Sequence, residues 1–411
     1  RQLSAHEVGH TLGIAHNFAA STNDLASVMD YPHPRVTITD DETLSLDNAY
    51  DTGIGEWDKR AVAYGYQDFP EDANESKELE NILEETVEMG LLYISDEAAR
   101  PAGGLHPAGH LWEYGDDPVE QLGHIMNVRR IALDNFSEEV IREGRPMATM
   151  EDVLVPIYLF HRYQTAATSK LVAGVDYTYA IRGDNQHNPE PVAADIQNGA
   201  LENLMRTLRP DELALPEPLL NLIPPRPAGV PQTRELFRGY TDPALDPVAM
   251  AETAANLTSS LLLNPNRAAR LVLQNARNNS MPGLEDIIDQ LFTNSILMEA
   301  NSGYEGAIHR AVNVSVLRNT LQLAGNESAA PDVQSVAGMK IQTLQGQLDQ
   351  HRSNAPNSVW RAHYSYLTDM IDRFNEDPSS FSAPSAPYTP PGSPIGGGLI
   401  HYGHGPACSF N

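Results

Sequence analysis

The chain has one cysteine, Cys408, so no disulfide can close within it and its stability must come from a packed interior. Basic residues are scarce. There are 27 against 55 acidic ones, the formal net charge is −28, and no basic cluster occurs. Nucleic acid and anionic membrane surfaces are poor partners for such a chain. The acidity favours solubility and points to no substrate. Long apolar runs are also missing, and nothing approaches the roughly 18 consecutive residues that a membrane-spanning helix needs. What remains is a chain of 411 residues, 41% hydrophobic, long enough to bury a large core and to form two or more domains.

The chemistry is concentrated in the first thirty-one residues, which contain HEVGHTLGIAH followed by SVMDY. On a helix, positions four apart share a face, so His6 and His10 can present two imidazoles to one ion. Glu7 stands one step round, beside the metal and not on it. The residues after His10 rotate away, so a third ligand requires the helix to stop and the chain to turn back. Gly13 supplies that turn, because a residue without Cβ takes positive φ at a helix C-terminus at little steric cost. The return brings His16 to a third position. Three neutral imidazoles leave the fourth site of a zinc ion open to water, the arrangement of a catalytic site. Zinc brings the pKa of such a water towards ~7 and polarises a carbonyl oxygen. Glu7 is then the general base on that water and the carrier of its proton to the departing amine. Peptide hydrolysis is the reaction this predicts.

The extended pattern H-E-x-x-H-x-x-G-x-x-H with a following Met-turn resembles the metzincin clan of zinc endopeptidases. The resemblance implies that Met29 forms an apolar floor beneath the metal. Tyr31, two residues on, matches the Tyr that stabilises the tetrahedral intermediate in astacin-like and serralysin-like members. Asn17, directly after the third His, is neither the Ser of matrix metalloproteases nor the Asp of adamalysins. The opening motif, GIGEWDKRAVAYGY, LFHRYQTAATSKLVAGVDYTYAIRGD and the closing PPGSPIGGG together resemble large secreted bacterial zinc-dependent metalloproteases with a long helical C-terminal region. That resemblance implies Zn2+ as cofactor, protein or peptide substrates, and a secreted or periplasmic location. A metzincin places a twisted sheet upstream of its active-site helix. The expectation is therefore that this chain, opening at Arg1, is the C-terminal part of a longer α+β protease and is inactive without the upstream residues.

The expected fold is mainly α. Residues 1–68 should hold the active-site helix, the Met-turn and a following helix. Residues 69–375 should form a mostly helical domain, and 376–411 a Pro/Ser/Gly-rich tail unable to pack a core. His33, between Pro32 and Pro34, reads as part of a surface turn. The acidic stretch 37–56 lacks EF-hand spacing and reads as a solvated loop sooner than as a calcium site. Apolar spacing predicts helices over 56–66 and 75–89, with a short strand at 91–94. His106 and His110 are four apart, but Pro107 and Gly109 argue against a shared helix face, so 100–117 reads as a loop anchored by Trp112. Long helices are predicted over 118–144 and 150–171, the latter carrying His161 and Arg162. A strand is predicted over 175–181 from its alternation. A proline-rich connection at 223–232 precedes helices near 245–263, 265–278, 283–297, 304–323, 332–352 and 356–374. A non-catalytic zinc-containing module derived from such a protease is the rival reading, and the retained Glu7 argues against it.

Overall fold

A computed structural model describes residues 1–24, 26–378, 389–390 and 392. The chain is mainly α. The first helix, α1 (Gln2–Thr11), is followed by an irregular run and a two-stranded hairpin of β1 (Thr37–Ile38) and β2 (Leu44–Ser45), paired antiparallel with Thr37 opposite Ser45. Then come α2 (Glu56–Tyr66), α3 (Glu75–Glu88) and the single turn α4 (Asp96–Ala99). The next group is α5 (Pro118–Asp134), α6 (Glu151–Tyr158), α7 (Arg162–Ser169), a second hairpin of β3 (Val175–Asp176) and β4 (Glu190–Pro191), α8 (Ala194–Arg206) and α9 (Pro210–Leu213). The chain then continues as α10 (Pro247–Leu262), α11 (Pro265–Arg277), α12 (Leu284–Thr293), α13 (Gly303–Ala324), α14 (Pro331–Ser353) and α15 (Ser358–Glu376). Among the described residues no helix is long and apolar enough to cross a membrane.

The late helices lie where the apolar spacing predicts, because their ends carry explicit signals. Asp246 caps α10 by accepting from Ala249 N–H at 3.0 Å, Asn357 caps α15 through Trp360 N–H at 3.0 Å, and Pro opens α5, α10, α11 and α14. Their apolar faces meet in one large interior that runs from Leu122 to Phe374. Across it α10 packs on α13, α13 on α14 and α14 on α15. A second, small interior is made of Phe18, Ala19, Tyr31, Ile94, Ala99, Ala108 and Trp112. It joins residues from either side of position 68 and lies directly behind the histidines.

Four expectations are corrected. No strand forms at 91–94. Asn17 occupies that backbone instead, donating from Nδ2 to Leu92 O at 2.8 Å and accepting Ile94 N–H at 3.2 Å. The helix predicted over 118–144 stops at Asp134, with Asn135 at its C-cap, and Gly144 turns the following loop at φ +82. The helix predicted over 150–171 is two. Pro156 removes a hydrogen bond near the end of α6, and the buried Arg129 guanidinium donates to Tyr158 O at 2.6 Å where the helix stops. The alternation over 175–181 yields only two paired residues. Its tyrosines serve loop contacts: Tyr177 packs on His106 with ring centroids 4.9 Å apart, and Tyr179 Oη accepts Ser95 N–H at 3.2 Å. The tail expected over 376–411 falls outside the described residues apart from 376–378, 389, 390 and 392, and Cys408 lies outside them too.

Candidate metal centre

The first helix ends as its sequence requires. Gly13 takes φ +79, Gly13 N–H bonds to His10 O at 2.9 Å, and Ile14 N–H reaches back to Gly9 O at 3.1 Å. This paired closure is a Schellman turn, and it reverses the chain within one residue of the helix end. His6 and His10 sit one turn apart on α1, and the reversal carries His16 back to them. His10 Nε2 lies 3.0 Å from His6 Nε2 and 3.1 Å from His16 Nε2. Tetrahedral zinc with imidazole ligands at about 2.0–2.1 Å would set such nitrogens roughly 3.3 Å apart.

The outer nitrogens decide what the inner ones carry. His6 Nδ1 faces Val28 O at 2.8 Å, His10 Nδ1 faces Ile14 O at 3.0 Å, and His16 Nδ1 faces Asp96 Oδ2 at 2.7 Å. All three partners only accept, so each Nδ1 bears a proton and each ring turns its Nε2 inward. His10 Nε2 is within hydrogen-bond distance of both other Nε2 atoms and all three lie within 4.8 Å of one another, so in their ligating form the rings would direct three lone pairs at one cation. Burial, opposed by the Val28 bond and aided by the neighbouring imidazoles, lowers the pKa of His6 and favours its neutral, ligating form. The donor set therefore fits a zinc ion. Among the described residues it is the one group of three or more His, Cys, Asp or Glu side chains whose ligand atoms converge. His33, His106 and His110 stand apart from it. His33 is packed against Phe160 and Tyr163, His106 Nε2 bonds to Tyr177 O at 2.9 Å, and His110 Nε2 to Pro107 O at 2.6 Å.

The remaining candidates surround this cluster. Glu7 is exposed on α1, near enough to His6 for its charge to act on that ring. Tyr31 is buried, its ring stacked on His6 at 5.1 Å, with its hydroxyl 2.8 Å from His16 Nε2. Met29 is fully buried under α1, and a Cβ at Gly9 would overlap its sulfur, so the close approach of helix and floor requires glycine there.

Three supports were not legible from the motif. Asp96, eighty positions from His16, holds that ring while its other oxygen pairs with Arg100, whose guanidinium also lies over the Phe18 and Tyr31 rings. Asp58, on the first turn of α2, is buried and grips the Met-turn. It accepts from Ser27 Oγ at 2.6 Å, Val28 N–H at 2.8 Å and Gly55 N–H at 2.7 Å. Asn17, whose side chain holds Leu92 O and Ile94 N–H, also donates its backbone N–H to Met29 O at 3.1 Å. Asp58 had a local signal, as the acidic third residue of a helix that follows Gly55. Asp96 had none, since nothing in DEAA relates it to a histidine so far upstream.

Behind the centre lies a buried charged cluster. Glu113 accepts from Ser21 Oγ at 2.7 Å, and burial pushes its pKa up to about 7. Lys170 donates to Ala99 O and Gly109 O, and burial brings its pKa down to about 7. Beside these groups a cavity of about 220 Å³ is lined by His33, Trp112, His124, Phe160 and Tyr163, among others.

A family model described as Met-zincin matches residues 1–303 of the chain. No curated protein and no solved structure matches it.

Proposed function

The chain belongs to the Met-zincin family, which makes it a metalloprotease by type, and we propose that it is a zinc endopeptidase whose centre is His6, His10 and His16. The convergence of three inward Nε2 lone pairs, each fixed by an accepting partner on Nδ1, carries this reading. Zinc bound there would supply Lewis acidity, acidifying water and polarising the scissile carbonyl.

The chain's own groups do the rest. Glu7, exposed beside the imidazoles, takes the proton from the attacking water and delivers it to the departing amine. Tyr31 offers its hydroxyl to the oxyanion that forms at the attacked carbon. Its buried ring, stacked on His6, holds that hydroxyl in place before substrate arrives. Asp96 orients His16 and strengthens it as a donor, as carboxylates behind metal-bound histidines do.

The test is peptide hydrolysis by the purified protein, with and without a zinc chelator, set against Glu7→Gln. Chelation should stop hydrolysis, added zinc should restore it, and the variant should bind zinc but not turn over. Hydrolysis that persists in the variant would remove Glu7 from the role of base. Zinc bound with no hydrolysis in the parent protein would favour a binding module.

A further inference from the structure

We propose that the cavity lined by His33 and Glu113 seats the side chain of a lysine or arginine, with Glu113 as its counter-ion. The site follows from its own lining, and only its use in selecting peptides rests on the reading of the centre given above.

The cavity measures about 220 Å³. That is below the roughly 300–1,000 Å³ of a pocket for drug-sized ligands and suits one long side chain. Among the described residues none of its lining belongs to α1, so it is distinct from the three histidines. The rings of His33, Trp112, Phe160 and Tyr163 make its walls. Glu120, exposed on α5, and Gln121, half-buried, line it as well.

Its polar groups are mostly acceptors. Glu113 is 3% exposed; one of its oxygens accepts from Ser21 Oγ, and the other, Oε2, is buried with no partner. His33 Nδ1 faces Pro34 O at 3.2 Å and His124 Nε2 faces Val36 O at 2.7 Å, so the other nitrogen of each neutral ring keeps its lone pair. Burial holds His33 neutral, its pKa brought down to about 4. Gln164 Nε2 donates to Pro118 O at 3.3 Å, which leaves its Oε1 to accept. A buried carboxylate oxygen without a donor is costly, and a cation is the ligand that relieves it. Asp30 is buried close enough to Glu113 for the two charges to act on each other, which adds to the demand for a cation.

The cations already present are engaged elsewhere. Arg35 lines the cavity, but its Nη2 reaches Asp24 at 3.1 Å and its guanidinium lies on the Tyr114 ring. Lys170 donates to Ala99 O and Gly109 O, and Arg162 acts on the His33 ring without lining the cavity. Aromatic walls favour a cation a second time, through the negative faces of their rings. An apolar stem between rings with a charged head at a carboxylate is the form of lysine and arginine.

Residues 31–33 link the cavity to the centre. The Tyr31 hydroxyl stands beside His16, while His33, two residues on, lines the cavity. Trp112 N–H bonds to Tyr31 O at 2.9 Å and His33 N–H to Glu113 O at 3.4 Å. The cavity is thus placed to receive a side chain of a peptide held at the histidines.

The experiment uses the purified protein at about pH 8, above the Glu113 pKa of about 7. Nα-acetyl-lysine amide and Nα-acetyl-arginine amide, with Nα-acetyl-norleucine amide as the uncharged control, are titrated by calorimetry into the parent, Glu113→Gln and Gln121→Lys. The second variant alters a half-buried position, leaves Glu113 in place and brings a tethered ammonium to the cavity. The parent should bind both cationic probes at least about tenfold more tightly than the control, and Glu113→Gln should lose about 10–100-fold in that affinity. Gln121→Lys should also weaken it, by competition. Absence of binding, equal binding of the three probes, or cationic binding unchanged in both variants would overturn the site. The second readout is the hydrolysis of peptide pairs that differ only by lysine against norleucine. Preferred cleavage of the lysine peptides in the parent, lost in Glu113→Gln, supports a role in peptide selection. Selective binding of the probes with no preference among peptides would overturn that role and assign the cavity to a free basic amino acid. A protein that cleaves no peptide would remove the reading of the centre, while the calorimetry would still decide the site.

Discussion

The surroundings of the histidines and the late helices are held together by different means. Around the centre there is little regular structure after α1, and the backbone is fixed by side chains. Asn17, Asp58 and Asp96 each bind groups distant in sequence, and the apolar interior behind them is small. From α10 onward the reverse holds: capped helices share one continuous apolar interior, and polar contacts such as Arg318 with Glu252 are inserted between well-packed faces. A centre that must place three nitrogens and a hydroxyl within tenths of an ångström is built from directional bonds. A scaffold that must only stay folded is built from area buried.

Substitutions on either side should separate the two. Glu7→Gln is expected to have the largest effect, lowering turnover by about 10²–10⁴-fold with no change in melting temperature or zinc content. Glu252→Ala leaves the Arg318 guanidinium buried without its carboxylate. It should cost about 3–5 kcal/mol in denaturant unfolding while zinc affinity stays the same. A joint loss of zinc would show that the two regions are not separable. Asp96→Asn should weaken zinc binding by about 10–100-fold in competition with a chelator, with stability little changed. An unchanged affinity would reduce Asp96 to a packing contact.

The smallest effect concerns pH. Glu113 has its folded pKa raised from 4.5 to about 7, so the folded state holds a proton that the unfolded state releases between those values. Its contribution is therefore fully present below pH 4.5 and is lost as pH rises towards 7. Glu113→Gln should flatten the decline in melting temperature between pH 5 and 7, and an identical slope would show that Glu113 is not its source.

How much could be read in advance follows the same division. Periodicity reports a face buried against a large interior, so α10 to α15 were legible to within two residues of their ends, except that α12 stops at Thr293, four residues short of the expected 297. The gathering of His6, His10 and His16 was legible because helix pitch and one glycine turn are local rules. Asp96 and Asp58 act across the fold, where no local rule operates. The misread strands at 91–94 and 175–181 share a cause: alternation reports which side chains are buried, and here Asn17, His106 and Ser95 take the places that a neighbouring strand would fill.

The central claim is that three neutral imidazoles, each fixed from behind, form one zinc site. Metal analysis of the purified protein, with X-ray absorption at the zinc edge and His16→Ala as the comparison, tests it most directly. The account predicts one zinc per chain, imidazole nitrogen ligands at about 2.0–2.1 Å, and weakened or absent binding in the variant. A protein that takes up no zinc, or one that holds it equally well without His16, would contradict it.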